Sequence, residues 1–265
     1  MSAPDFLSPM LLAFVQSATE FLPVSSSAHL ILCQSFNWTN QGIFSDVAMH
    51  AGTLLAVILY FHKEMASIIR NLFSKNGDNR LLRNLIIATL PAVVGGMLGF
   101  EVISRLRSPI IIAGASIIFG GLLWITDKIS FTGMNSSLST MTWLDALCVG
   151  LGQILALIPG VSRSGITITC CRALGFSRRD STRFAMLLSV PTISAAAVYV
   201  LWIVHKNNAW AQFLTRDLIC GTLLSALFGL IVIRFLMNWI REESFAIFAI
   251  YRIFLGLFVI YYFLF

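Results

Sequence analysis

The stretch of this sequence with the most reactive side chains is QSATEFLPVSSSAH, residues 16–29. It places a glutamine, a glutamate, three consecutive serines and a histidine around a proline, inside a run that is otherwise apolar. Ser25 and Ser26 precede His29 by four and three residues, so on a helix they would share one face with it. A serine beside a histidine forms a nucleophile–base pair when the two reach hydrogen-bonding distance. The stretch therefore predicts nucleophilic or acid–base chemistry.

Glu20 lies just before the break in this stretch. It could orient His29, act as a general base itself, or hold a divalent cation that bridges phosphates. Gln16 lies one helical turn earlier on the same face and can supply only neutral hydrogen bonds. The residues alone leave these three roles of Glu20 open.

A second polar break, IPGVSRSG, occupies residues 158–165 and contains Arg163 between two serines. Each break precedes a new half-helix, whose first N–H groups lack intrahelical partners and favour anions. Serines at such positions add hydroxyl groups, and an arginine offers a planar fork that suits phosphate oxygens. The two breaks together predict an anion-binding cradle with phosphate as its natural guest.

The composition predicts that these breaks lie inside a membrane protein. Of 265 residues, 57% are hydrophobic and 11% are charged, whereas soluble domains carry roughly 25% charged residues. The apolar segments predicted to span the bilayer are 44–62, 83–103, 109–126, 183–204, 217–238 and 245–265. The interrupted stretches 6–36 and 143–175 predict re-entrant helix–loop–helix hairpins, and two separate spans each is the alternative. The expected fold is an all-α integral membrane protein.

The two interrupted stretches also match each other when the sequence is shifted by 137 positions. Gln16 then falls on Gln153 and Ser25 on Ser162, while Arg163 replaces Ser26. Because each hairpin is followed by three predicted spans, the second would enter from the opposite membrane face. We therefore predict one membrane domain, 1–265, built as an inverted-topology repeat with halves of about 1–128 and 138–265. A coincidental match among apolar residues is the alternative.

The charge distribution predicts the orientation of the chain. The net charge is +6, and most lysines and arginines fall in short loops between apolar runs, so we expect membrane lipid and no nucleic acid as a partner. The side richer in these residues should be cytoplasmic, which places both termini and the first hairpin at the outer face. Arg252 is expected to snorkel at a helix end. Asp46 and His50 are expected either to line the site entrance or, the preferred interpretation, to sit at the membrane interface.

The motifs EFLPVSSSAH and PGVSRSGIT resemble the two signature motifs of the undecaprenyl-diphosphate phosphatase family, the bacitracin-resistance proteins of bacterial membranes. The resemblance extends through most of the chain, in FSDVAMHAGTLLAVILYF, TLPAVVGGMLGFE, GFSRRDSTRFAMLLSVP and FAIYRIFLG. It implies an enzyme of the inner membrane that removes the terminal phosphate of undecaprenyl diphosphate, regenerating the lipid carrier for cell-wall sugars.

The resemblance also implies the residues of the site. The implied catalytic residues are Glu20, Ser26, His29 and Arg163, and the substrate-binding residues are Gln16, Ser25, Ser27, Ser162, Ser164 and Thr167. It implies a divalent cation, Mg²⁺ or Ca²⁺, held in part by Glu20. Gln16 stands where many members carry a second glutamate, which puts a two-carboxylate metal site in doubt.

Two questions stay open at this point. Ser26 could attack the phosphorus with His29 or Glu20 as base, or a water activated by Glu20 could attack directly. In a different functional class, an inverted repeat with broken helices is also typical of transporters, so the cradle could carry a lipid phosphate or small anion across the membrane. A homodimer is compatible with the sequence, which does not decide the oligomeric state.

Overall fold

A computed structural model describes residues 7–35, 43–75, 77–129, 137–208, 210 and 215–264. The helices in chain order are α1 Leu7–Phe21, α2 Ser26–Ser35, α3 Ile43–Tyr60, α4 His62–Phe73, α5 Arg80–Arg105, α6 Pro109–Ile129, α7 Trp143–Ile154, α8 Arg163–Ala173, α9 Arg178–Lys206, α10 Arg216–Trp239 and α11 Ala246–Leu264. Single 3₁₀ turns lie at Leu138–Thr140 and Leu155–Leu157. These ranges contain no β-strand.

Long apolar helices dominate the described chain, which confirms the all-α membrane fold. The segments apolar and long enough to cross a bilayer are Arg80–Gly99, Pro109–Ile129, Arg178–Lys206, Leu218–Trp239 and Ala246–Leu264. A sixth span is reached by counting the bent pair Ser45–Tyr60 and His62–Phe73 as one crossing. The protein is therefore a multi-pass membrane protein.

The predicted span 44–62 corresponds to α3 and ends where the chain bends into α4. The chain bends by 77° between Ser45–Tyr60 and His62–Phe73. Helix α4, which follows the bend, is amphipathic. Its Met65 and Ile68 pack on the core, while Glu64 binds Arg183 of α9 at 3.3 Å. Helix α4 was not predicted, because Lys63, Glu64 and Arg70 interrupt the apolar pattern after the bend.

The two predicted interruptions lie where the sequence places them. The first hairpin turns between the end of α1 at Phe21 and the start of α2 at Ser26. The second turns between Ile154 and Arg163. Within the described residues, the helices of the first hairpin have 15 and 10 residues and those of the second have 12 and 11. The helices of the second hairpin are shorter than the ~20 residues that a bilayer crossing needs, which fits a re-entrant hairpin.

Helix α8 occupies the centre of the bundle, where it packs against α6, α7 and α9. Around it, α3 pairs with α10, α6 with α11, α1 with α10 and α5 with α7. Small residues allow the close approaches: a Cβ on Gly150 would lie 2.8 Å from the carbonyl oxygen of Ala88. The division into repeat halves of about 1–128 and 138–265 stays a prediction.

Candidate active site

The two broken loops share an unusual backbone feature at matching positions. Ser25 has a φ of 77° and Ser162 has a φ of 73°, in the left-handed region that costs a non-glycine residue about 1–3 kcal/mol. Both serines are buried, and Ser162 caps α8 by accepting a hydrogen bond from the Gly165 N–H at 3.1 Å. Strained serines held at two helix starts indicate that the surrounding structure fixes both loops.

The carboxylate of Glu20 joins the two loops. Its Oε1 accepts a hydrogen bond from Arg163 Nη2 at 3.0 Å, and its Oε2 accepts one from Ser26 Oγ at 2.8 Å. Glu20 is only 8% exposed, so the ion pair with Arg163 is little screened by water. The structure thus brings three of the predicted catalytic residues into direct contact.

Arg163 and Ser164 complete the junction between the loops. Arg163 Nη1 donates to the carbonyl oxygen of Ala185 in α9 at 3.0 Å, which fixes the guanidinium plane. Ser164 Oγ donates to the carbonyl oxygen of Leu22 in the first loop at 3.1 Å, and lies 3.2 Å from Ser162 Oγ. Ser164 therefore holds the first loop against α8 in this structure, in addition to the anion contact predicted for it.

The condition set for a Ser26–His29 pair, that the two side chains reach hydrogen-bonding distance, is not met in this structure, where each binds another partner. His29 Nδ1 lies 2.7 Å from the carbonyl oxygen of Ser25, and because a carbonyl only accepts, Nδ1 must carry the proton. His29 Nε2 is then left to accept a hydrogen bond from the Tyr251 hydroxyl at 2.6 Å. Both ring nitrogens are engaged, while Ser26 Oγ faces Glu20. The geometry therefore favours Glu20 over His29 as the base for Ser26.

His50 faces the site from α3, which favours the first of the two interpretations made for it. Its Nδ1 contacts Gln16 Nε2 and lies 4.0 Å from Glu20 Oε2. Gln16 is fully buried, and its Nε2 also donates to Glu20 Oε2 at 3.3 Å. The Oε1 of Gln16 has no hydrogen-bond partner. Gln16 thus lies at the site as predicted, with one unused acceptor.

The side chains around Glu20 include ligands of the kind that hold divalent cations. Magnesium is often held by one or two carboxylates together with substrate phosphates. The Glu20 carboxylate, the unused Gln16 Oε1 and the His50 ring are the protein donors available here. Among the residues that the structure describes, no cluster of three His, Cys, Asp or Glu side chains could hold a metal alone.

Two other residues, Thr167 and Ser27, were also predicted to bind substrate. Thr167 lies on α8, is fully buried, and has an Oγ1 without a hydrogen-bond partner. The side chain of Ser27 lies outside the described part of the chain.

Helix α11 supplies two neighbouring residues that the sequence analysis did not place at the site. Tyr251 binds His29. Arg252 is fully buried and donates to main-chain carbonyls of both loops, so the expectation that it snorkels at a helix end is wrong. An ionisable residue inside an apolar span is a functional candidate by default, and this signal could have found Arg252. No sequence signal indicated Tyr251.

Comparisons with known proteins give one consistent result. A family model described as bacitracin resistance protein BacA matches residues 9–258. An undecaprenyl-diphosphatase of Saccharophagus degradans is 43% identical over 264 residues, covering 95% of this chain and 96% of the relative. Undecaprenyl-diphosphatases of Elusimicrobium minutum and Nitrosococcus oceani are 42% and 40% identical, over 95% and 98% of this chain and 95% and 99% of their own lengths.

Proposed function

This chain belongs to the bacitracin resistance protein BacA family, and from that premise we propose that it hydrolyses undecaprenyl diphosphate to undecaprenyl phosphate and phosphate. The product would return to cell-wall synthesis as lipid carrier, and the activity would give bacitracin resistance. The observation that carries the proposal is the contact of Ser26 with Glu20 and of Glu20 with Arg163 across the two loops.

This arrangement provides a route for the phosphoryl transfer. Ser26 Oγ forms a bond to the terminal phosphorus as the bridging P–O bond breaks, and the electron pair leaves with undecaprenyl phosphate. The Ser26 proton passes to Glu20 Oε2, which already accepts its hydrogen bond. Water then forms a bond to the phosphorus as the P–Oγ bond breaks, Ser26 recovers its proton from Glu20, and both protons of the water leave with the product as dihydrogen phosphate. Direct attack by a water that Glu20 deprotonates uses the same residues and is the competing route.

Arg163 and the start of α8 would stabilise the charge that develops on the phosphoryl oxygens. A guanidinium has five N–H donors, and the contacts of Arg163 with Glu20 and Ala185 use one on each Nη. The other donors are available to phosphate. Preorganised cations and N–H groups at the reacting phosphate are the main catalytic contribution in phosphoryl transfer.

We further propose that a divalent cation, Mg²⁺ or Ca²⁺, binds with the diphosphate. When bound, it would neutralise charge on the phosphate oxygens. Glu20, Gln16 Oε1 and His50 are the residues that would hold it, which supports a cation shared between protein and substrate. This differs from a two-carboxylate site, because Gln16 replaces one acid.

The membrane and the orientation belong to the same proposal. The enzyme would lie in the bacterial inner membrane with both termini outside and its site reached from the outer face. The excess of lysine and arginine in the loops of one side supports this orientation. A homodimer stays a prediction. The alternative of a lipid-phosphate transporter is not favoured, since the relatives are named as diphosphatases.

The direct test is phosphate release from undecaprenyl diphosphate by the purified protein in detergent, with and without EDTA. Wild type should release phosphate only when divalent cation is present, and Arg163→Ala should abolish release. Arg234→Ala, which removes an exposed arginine from α10, is the matched control and should behave as wild type. A folded wild type that releases no phosphate would contradict the proposed reaction.

The covalent route needs its own test, with Ser26→Ala as the decisive variant. Trapped phosphoenzyme in wild type and a loss of turnover in Ser26→Ala would support attack by Ser26. Near-normal turnover in Ser26→Ala would leave direct attack by water as the mechanism.

A further inference from the structure

Arg252 is a fully buried arginine in the last helix, and the reaction proposed above gives it no part. Among the ion pairs of the described residues, the carboxylates Glu20, Glu64, Asp78 and Asp127 bind other cations, and none binds Arg252. A buried charge without an opposite charge is costly, so such a residue is retained for a reason other than an ion pair.

The guanidinium of Arg252 connects the two broken loops. Its Nη2 donates to the carbonyl oxygens of Gly160 at 2.9 Å and Val161 at 2.7 Å, both in the second loop. Its Nη1 lies 3.4 Å from the carbonyl oxygen of Pro23 in the first loop. One rigid planar group thus holds main-chain atoms that lie more than 130 residues apart in the chain.

The loop atoms that Arg252 holds lie immediately before the strained serines. Pro23 comes two residues before Ser25, and Val161 comes one residue before Ser162. Both serines have positive φ, a conformation that persists only where the surrounding structure fixes it. By binding the carbonyl oxygens of Pro23 and Val161, Arg252 can fix the backbone conformation just before each of these serines.

Two glycines make room for Arg252. A Cβ on Gly165 would lie 2.8 Å from Arg252 Nη1, which is closer than real Cβ contacts allow. A Cβ on Gly120 of α6 would lie 3.1 Å from the Cβ of Arg252. The absence of a side chain at Gly165, in the motif SRSG, therefore lets the guanidinium reach the second loop.

We propose that Arg252 is a positioning residue that fixes the two broken loops relative to each other. It acts through main-chain carbonyls, and it sets the separation at which Glu20 and Ser26 of the first hairpin meet Arg163 of the second. This proposal rests on the proposed diphosphatase reaction, because its effect is read out in that reaction. The buried positive charge also favours binding of an anion at the junction it holds.

The test compares Arg252→Lys with wild type in steady-state phosphate release. Lysine keeps the charge, but it has one nitrogen where the guanidinium uses two, so it cannot bind the carbonyl oxygens of both loops with the same geometry. We expect kcat to fall about 100-fold, the effect of a misplacement of ~1 Å, while KM changes little. Arg234→Lys on the exposed face of α10 should leave both constants unchanged.

A second variant protects the test against a failure of Arg252→Lys to fold. Gly165→Ala keeps every charge and displaces the guanidinium tip, and its Cβ would also lie 3.1 Å from the Cβ of Ser162. Because both contacts belong to the loop that Arg252 holds, kcat should fall in the same direction. If both variants fold, their effects should be strongly non-additive, since each disturbs one contact network. A wild-type kcat in Arg252→Lys, or additive effects of the two substitutions on kcat, would overturn the proposal that Arg252 positions the two loops. An inactive wild type would instead overturn the diphosphatase reaction itself.

Discussion

Two buried carboxylates of this protein bind arginines, and they differ in what surrounds them. Asp127 is 4% exposed and lies at the end of α6, where it binds Arg172 and Arg178. Glu20 is 8% exposed and binds Arg163 across the two loops. The same pair chemistry therefore occurs at two places in one bundle, and only one of them lies at the broken helices.

The oxygens of Asp127 are saturated. Oδ1 accepts from Arg172 Nε at 3.1 Å and Arg178 Nε at 2.8 Å, and Oδ2 accepts from Arg178 Nη2 at 3.0 Å and the Phe245 N–H at 3.1 Å. These partners come from α8, the start of α9 and the residue before α11. Asp127 thus ties four helices together, and its four accepted hydrogen bonds leave no acceptor position for a ligand.

The surroundings of Glu20 leave hydrogen-bonding capacity unused. Its partner Ser26 is a hydroxyl that can act as a nucleophile. The buried Oε1 of Gln16, whose Nε2 binds Glu20, has no partner, and the buried Oγ1 of Thr167 on α8 has none either. A buried polar group without a partner is costly unless a ligand completes it. The comparison indicates that a saturated pair serves stability and an incomplete one serves binding and catalysis.

The largest expected effect is that of Glu20→Gln on activity. The amide keeps the size of the side chain but can neither take the proton of Ser26 nor pair with the charge of Arg163. Phosphate release should fall by about 10²–10⁴-fold, the usual contribution of a general base. The melting temperature should fall too, but less than in Asp127→Asn, because one arginine loses its carboxylate instead of two and Arg163 keeps the Ala185 carbonyl. Thermal unfolding of the same sample checks this. An unchanged kcat in Glu20→Gln would show that Glu20 is not the general base.

Asp127→Asn should show the opposite behaviour. Removing the charge leaves Arg172 and Arg178 without their carboxylate, and breaking a buried pair costs about 3–5 kcal/mol. We expect a lower melting temperature in detergent and normal phosphate release per folded molecule. A stable but inactive Asp127→Asn protein would show that this cluster belongs to the site.

A smaller effect is expected from Tyr251→Phe. The change removes the hydroxyl that binds His29 Nε2 at 2.6 Å and keeps the ring that stacks on the imidazole. Loss of one such hydrogen bond, about 1 kcal/mol, should lower kcat roughly fivefold. Tyr199→Phe, at an exposed tyrosine on α9, is the control. An unchanged kcat in Tyr251→Phe would show that the orientation of His29 does not matter.

The smallest effect is expected at the exposed pair of Asp78 and Arg80, which contact each other at 2.7 Å. Hydrogen bonds from Arg80 lower the pKa of Asp78 to about 2. Because the folded pKa lies below its ordinary value of 3.8, the stabilisation is present above that value and disappears as the pH falls towards 2. Water screens this pair, so Asp78→Asn should match wild type in activity and nearly match it in melting temperature at pH 7. A large loss at neutral pH would contradict the distinction between exposed and buried pairs.

The sequence predicted the parts of the site that depend on local pattern. Proline, glycine and serine clusters located both breaks, and the register of Ser26 with Arg163 predicted that the loops would meet. The ion pair of Glu20 with Arg163 agrees with that expectation. Local chemistry and internal similarity were sufficient here, because both hairpins are short and their polar residues are conspicuous in an apolar chain.

The sequence-based expectations that were not met concern contacts between segments that are distant in the chain. Spacing put Ser26 and His29 on one face, but the ring of His29 binds the carbonyl of Ser25 and reaches Tyr251, 222 residues later. The sequence predicts Arg252 as a helix-end arginine. In the structure α11 packs on α6, and Arg252 contacts carbonyl oxygens of both loops. Helix spacing predicts which side chains can meet, whereas tertiary packing decides which ones do.

The most direct test of this account measures phosphate release and thermal unfolding on the same preparations of wild type, Glu20→Gln and Asp127→Asn. We predict a crossed result, in which Glu20→Gln loses release with the smaller fall in melting temperature, while Asp127→Asn has the larger fall in melting temperature and keeps release per folded molecule. If both variants lose activity and stability together, or if Glu20→Gln still hydrolyses undecaprenyl diphosphate, the junction of the two loops at Glu20 is not the catalytic site.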